Sequence, residues 1–144
     1  MALVVIFAKT EQEINACMQL RWAVFVEEQG VAEHEEMDGK DAQSAQVLAT
    51  LNGIPVGAAR IQYIETYAKI QRMCVTKDHR GHGIGANIIN FIVTHVTNTT
   101  RCTSIRLSAQ IQALEFYRAL GFVEYGNAYL DAGIKHKNME LQLA

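Results

Sequence analysis

Three alternate glycines follow an arginine in the stretch Arg80-Gly81-His82-Gly83-Ile84-Gly85-Ala86, and a helical pattern begins at Ile84. Glycines at a helix start let a phosphate approach backbone N–H groups with no Cβ in the way. The helix dipole favours the anion at the same place, and Arg80 adds a permanent positive charge. No Lys-Ser or Lys-Thr follows the last glycine, which excludes a Walker A loop. Gly81, Gly83 and Ala86 do fit the dinucleotide pattern G-x-G-x-x-A. However, the residues TKDHR separate the preceding strand from the first glycine, and the next strand ends in Ser108 where an acid is needed. What remains is R-x-x-G-x-G, from Arg80, Gly83 and Gly85, read as an anion cradle, or else a glycine-rich turn that holds nothing.

Acids form a second concentration. Residues 27 to 41 hold seven: Glu27, Glu28, Glu33, Glu35, Glu36, Asp38 and Asp41. Such a run reads as a solvated loop or as a field that draws a cation. His79 and His82 belong to the glycine loop, His95 to a helix face and His136 to a C-terminal strand. No pair of them has zinc spacing with a third ligand. Cys17, Cys74 and Cys102 are odd in number and make no C-x-x-C pair, which fits free thiols in a reducing compartment.

These groups need elements to position them. Ala2 to Ala8 reads as a buried strand rather than a signal peptide. Thr10 and Glu13 form a capping box, and Ile14, Met18, Trp22 and Phe25 then recur at helical spacing to about Glu28, with Gly30 ending the helix. Trp22 is expected in the core, and Arg21 and Arg60 in surface salt bridges or against an acidic group of a substrate. Asn52-Gly53 marks a hairpin, because both positions tolerate positive φ. A third strand, roughly Ala68 to Thr76, continues the meander. Ile84, Ile88, Ile92 and His95 or Val96 give a helix with one apolar face. TSIRLSA is a strand, QALEFYRAL a short helix ended by Gly121, and FVEY and KNMELQL closing strands. The order predicts an α/β (α+β) domain with helices on both faces of a mostly antiparallel sheet.

At 144 residues one domain is expected, spanning 1–144, with a core large enough to need no staple. The formal charge of -2 gives no reason to expect nucleic acid or an anionic membrane surface. No segment reaches the roughly 20 apolar residues of a membrane span, so the expected location is the cytoplasm.

Several segments together resemble a known family. MCVTKDHRGHGIGANII resembles the acetyl-CoA signature of the GNAT superfamily of N-acetyltransferases, and AQIQALEFYRALGF resembles its second conserved segment. LRWAVFVEEQGV, EEMDGKDAQSAQVLA, GAARIQ and LDAGIKHKNMEL are similar to the small bacterial ElaA/YjcF-like branch. The resemblance covers nearly the whole chain. It implies a twisted mixed sheet whose central strands splay, and direct attack of an amine on the thioester of acetyl-CoA, with no metal.

The resemblance also implies roles. Arg80, Gly81, His82, Gly83, Ile84, Gly85 and Ala86 would hold the pyrophosphate. The backbone of Met73, Cys74 and Val75 would pair with the pantetheine like an added strand, with an N–H at the strand end as oxyanion donor. Tyr117 would protonate the departing thiolate; alternatively it is a core tyrosine, since it shares a helix face with Leu114. Gln110 stands where the family often has asparagine and would contact the cofactor or Tyr117. Cys74 lines the site rather than acting as a nucleophile, because no base adjoins it. The base that deprotonates the amine stays open among Glu35, Glu36, Asp38 and His136. Three other readings also stay open: a CoA-binding protein without activity, a transferase for longer acyl groups, and a binding module unrelated to CoA. The acceptor is an unidentified amine, small molecule or peptide, and a homodimer is a common outcome for such enzymes.

Overall fold

The Asn52-Gly53 turn forms as expected, with φ of 51° and 83°. It joins β2 (Ala45–Leu51) to β3 (Ile54–Ile64). β1 (Leu3–Phe7) and β4 (Tyr67–Val75) extend this meander on either side, antiparallel throughout. A parallel strand needs a long crossover. Here α3 (Ile84–Thr99) supplies it, bringing β5 (Ser104–Gln110) alongside β4 in parallel. β6 (Val123–Asp131) and β7 (Ile134–Gln142) close the sheet as a hairpin longer than FVEY and KNMELQL suggest. Its turn at Ala132-Gly133 repeats the positive φ pair, at 52° and 76°. The computed structural model describes residues 2–143, and its seven strands run in the order β1-β2-β3-β4-β5-β7-β6.

Alternate residues of the central strands serve two apolar clusters. Val47, Ala49, Ala59 and Ile61 pack with Ile84, Ile88, Ile89, Ile92 and Val96 of α3. Leu48, Ala58 and Cys74 pack with Cys17, Leu20 and Val24. Helices therefore cover both faces. Gly57 lets α3 sit close to β3: a Cβ there would lie 2.8 Å from Ile88 Cδ1 and 3.1 Å from the Cys74 carbonyl.

α1 (Glu11–Arg21) starts at the expected capping box, Thr10 Oγ1 accepting from the Glu13 amide and Glu13 Oε1 from the Thr10 amide, both at 3.1 Å. Its buried stripe differs from the expectation. Cys17, Leu20, Arg21 and Val24 face inward, while Trp22 is 37% exposed. From Trp22 to Glu28 the chain winds as a π-helix, a form with i→i+5 bonds that often marks functional sites.

Two features open the sheet. β4 and β5 pair only from Tyr67 to Ile70, against Ser104 to Leu107. Beyond that, β5 stays with β7 as far as Gln110 opposite His136. β4 instead carries a bulge: Ala58 faces Cys74 and Arg60 faces Gln71, so Arg72 and Met73 oppose Ala59 alone. Arg72 takes a φ of 54°, a conformation that a residue with a Cβ rarely adopts. Bulges bend a strand and raise its local twist, which turns the end of β4 away from β5.

Candidate active site

At the mouth of this gap lies the glycine loop. Gly83 caps α3 in the left-handed region, and no side chain caps the helix. The amides of Ile84, Gly85 and Ala86 have no acceptor among the described residues, as expected of a first helical turn without a cap. Gly81 and Gly83 have φ of 82° and 81°, and a Cβ on either would project into open space. They leave the amides approachable. Gly85 serves differently: a Cβ there would meet Phe116 at 3.1 Å and Met73 Cε at 3.3 Å, so this glycine lets the helix start pack against neighbouring side chains. His82 is exposed, and His79 Nδ1 hydrogen-bonds the Thr76 hydroxyl at 2.8 Å. The Arg80 guanidinium is already engaged. It grips Glu28 at 2.6 and 2.7 Å and donates from Nε to the Val75 carbonyl at 3.0 Å. This strut joins the end of the π-helix to the loop.

The gap continues inward as a cleft of ≈ 460 Å³. One wall is the end of β4. The Thr76 amide bonds the Val56 carbonyl of β3. By the alternation of an antiparallel ladder, the Cys74 backbone also faces β3, while Met73 and Val75 turn theirs to the open side. Of the three residues expected to pair with the cofactor, two present backbone to the gap. The Cys74 thiol is 5% exposed, and burial pushes it up to about 12, so it stays protonated.

Tyr117 stands on α4 (Leu114–Ala119) opposite, 8% exposed. Its ring packs edge-on against Phe116 and Phe122, with centroids 4.9 and 5.8 Å away. Tyr117 belongs to the core, as the alternative expectation has it, and it also lines the cleft. Its hydroxyl has no partner among the described residues, and burial holds the phenol well above its ordinary pKa. Gln110, at the end of β5, exchanges hydrogen bonds with Gln29 across 81 residues of sequence, at 2.8 and 3.4 Å. This amide pair bridges the cleft from sheet to π-helix.

His136 lies on the far wall, 9% exposed, on β7 opposite Gln110. Its Nδ1 is 2.7 Å from the Ile134 carbonyl. A carbonyl can only accept, so Nδ1 carries the proton and Nε2 keeps its lone pair. Nε2 has no partner among the described residues. Tyr129 stacks on the ring at 6.2 Å and hydrogen-bonds Asn138 and Ser108.

The acidic run divides: Glu27, Glu33 and Glu35 are exposed with no ion-pair partner among the described residues, as in a solvated loop, whereas Glu36, Asp38 and Asp41 are held by arginines. α2 (Glu33–Glu36) carries Glu36, 3% exposed, between two arginines. Arg21, fully buried, donates to both its oxygens at 3.0 Å, and Arg72 Nε donates at 2.8 Å. Asp38 receives Arg60 at 2.9 and 2.8 Å and Arg72 at 3.4 Å. Asp41 receives Arg21 at 2.6 Å and Arg60 at 3.2 Å. The hydrogen bonds from Arg60 hold Asp38 well below the usual carboxylate range. Burial raises Asp41, but Arg21 outweighs it, and the net shift is downward. Asp38 so held is a poor proton acceptor, and both Glu36 oxygens are taken by Arg21 and Arg72, which weighs against the expected base role of either. Arg21 and Arg60, expected at the surface, are the buried partners. Arg72 and Gln29 had no signal in the sequence, since neither a positive φ nor a cross-cleft contact is written in residue spacing.

A mixed sheet parted between a parallel strand pair, with an uncapped glycine-led helix at the mouth, is the acyl-CoA N-acyltransferase fold. The chain belongs to the GNAT acetyltransferases: the model of the acetyltransferase (GNAT) domain matches residues 8–143. It is 35% identical over 135 residues to the uncharacterized N-acetyltransferase YjcF of Bacillus subtilis, covering 93% of this chain and 96% of YjcF. The crystal structure of a candidate N-acetyltransferase from Lactobacillus plantarum superposes with a TM-score of 0.91 at 26% identity, covering 100% of both chains. Escherichia coli ElaA superposes at 0.85 with 25% identity, covering 98% of this chain and 99% of that one. No helix among the described residues is long and apolar enough to cross a membrane.

Proposed function

We propose that this protein transfers the acetyl group of acetyl-CoA directly to an amine. The observation that carries the reading is the pairing of two unpartnered groups in one cleft, Tyr117 Oη and His136 Nε2, beyond the point where β4 and β5 separate. Acetyl-CoA brings the activated thioester. The amides of Ile84, Gly85 and Ala86 receive its pyrophosphate, with Gly81 and Gly83 permitting close approach. The open backbone of Met73 and Val75 aligns the pantetheine arm as an added strand, and a Met73 or Val75 N–H facing the thioester carbonyl steadies the oxyanion.

His136 Nε2 takes a proton from the amine, whose nitrogen then bonds to the carbonyl carbon as the C–S bond breaks. Tyr117 gives its proton to the departing thiolate. A phenol held this high would be a weak donor to a thiolate in water. A thiolate leaving into the same cleft also loses water, which raises its proton affinity as burial raises that of the phenol, so the transfer keeps its driving force. Glu36 and Asp38 act as mounts.

Thermal stabilisation by acetyl-CoA, absent with NAD or ATP, tests the cofactor. Release of free thiol from acetyl-CoA across a panel of amines tests the reaction. His136→Gln should lower kcat ~10²-fold or more and flatten the acid limb of the pH–rate profile. An unchanged profile removes His136 from the base role.

A further inference from the structure

The bulge that parts β4 from β5 is not held by the sheet. Arg72 sits at its apex with a φ of 54°, and the strain of such a conformation persists only where the surroundings over-determine it. Its surroundings here are the acidic segment. The Arg72 guanidinium donates to Glu36 Oε2 at 2.8 Å, to the Glu35 and Glu36 carbonyls at 3.0 and 3.2 Å, and to Asp38 Oδ2 at 3.4 Å. Four acceptors thus converge on one side chain, and two of them are backbone atoms at the end of α2. Glu36 and Asp38 are fixed in turn by Arg21 and Arg60, both fully buried. The chain of contacts runs from the core, through the acids, to the apex of the bulge.

We propose that Arg72 is a positioning residue: clamped by Glu36 and Asp38, it holds the bulge, and so sets how far Met73 and Val75 stand from β5. The inference rests on the reading that acyl-CoA lies in this gap, and it specifies what keeps the gap at working width. Met73 follows Arg72 directly, so a change of Arg72 backbone conformation redirects the N–H and C=O groups that meet the pantetheine. The glycine loop lies past Val75; it touches the strand at the Val75 carbonyl and at Met73 Cε, but the Arg80–Glu28 pair and α3 packing hold it as well, so it depends less on Arg72 than the strand does. The clamp therefore acts on the acyl-pantetheine end of the ligand more than on the nucleotide end.

Arg72→Gln separates these ends without stranding a buried charge, because Glu36 keeps Arg21 and Asp38 keeps Arg60. Two ligands are measured by calorimetry: acetyl-CoA, and adenosine 3′,5′-bisphosphate as the nucleotide fragment. The variant should bind acetyl-CoA ~10-fold or more weakly and lose kcat, while its affinity for the fragment stays within about twofold of wild type, since 10-fold corresponds to a single displaced interaction. The backbone amide resonances of Met73 to Val75 should shift and those of Ile84 to Ala86 should not. Arg72→Lys, which keeps the charge but not the fork, should fall between the two. Equal losses for both ligands would mean general destabilisation and overturn the proposal, as would wild-type affinity and kcat in Arg72→Gln. If the wild-type protein fails to bind acetyl-CoA, the reading beneath it fails, and the positioning role with it; retained wild-type binding with an indifferent Arg72 defeats the positioning role alone.

Discussion

Two regions of this molecule handle polar groups in opposite ways. In the segment from Glu36 to Asp41, three carboxylates meet three arginines, and each carboxylate has two arginine partners. In the cleft, the Tyr117 hydroxyl, His136 Nε2 and the first amides of α3 have none among the described residues. The one buried side-chain polar atom without a partner among the described residues is Gln46 Oε1, so the Tyr117 hydroxyl and His136 Nε2 are open to solvent within the cleft and free to meet a ligand. A complete set of partners marks a mount; a missing set marks a place where something else binds. By that contrast the arginine-bound acids read as scaffold, and the sparse cleft is where the proposed site lies.

The contrast breaks most sharply if the catalytic roles are misplaced. Tyr117→Phe should lower kcat by ~10²–10⁴-fold with CoA affinity unchanged, because only the proton donor is lost. A kcat within a few-fold of wild type would remove Tyr117 from that role. On the other side, Arg21→Met should destabilise by ~3–5 kcal/mol, since it leaves Glu36 buried with Arg72 as its remaining partner. That corresponds to a Tm lowered by roughly 10 °C, read by calorimetry. Gly83→Val should weaken CoA binding about 10-fold by placing a branched side chain at φ 81° beside the phosphate path; unaltered binding would remove the cradle. The smallest effect concerns pH. Asp38 and Asp41 titrate lower in the folded protein than in the unfolded chain. Their contribution is full above about pH 4 and fades as pH falls through the folded values. Urea midpoints from pH 7 down to pH 3 should drop, and Asp38→Asn should flatten that drop.

The glycine loop, the Asn52-Gly53 hairpin and the capping box were legible because each rests on neighbours in sequence. The stripe of α1 was not. Its true members, Cys17, Leu20, Arg21 and Val24, include an arginine, and a cation in the middle of an apolar face hides it. Trp22 was assigned inward because the count assumed α-helical spacing, whereas the helix changes to i→i+5 bonding at that residue. The acids were misjudged for a related reason: their partners lie 15 to 36 residues away, beyond any local pattern. The family resemblance rests on segments whose signals are local, the glycine loop and the helix that carries Tyr117. His136 stood only as one of several bases until the bond to Ile134 fixed its tautomer.

The unpaired stretch of β4 has a consequence beyond catalysis. From Gln71 to Val75 the strand lacks its β5 neighbour, so the ligand-free protein carries an open sheet edge inside its own wall. Such edges are templates for intermolecular pairing and aggregation. Recessed between the π-helix and β7, this one is screened from other chains, and an acyl-CoA arm pairing with it as proposed would also withdraw it from them.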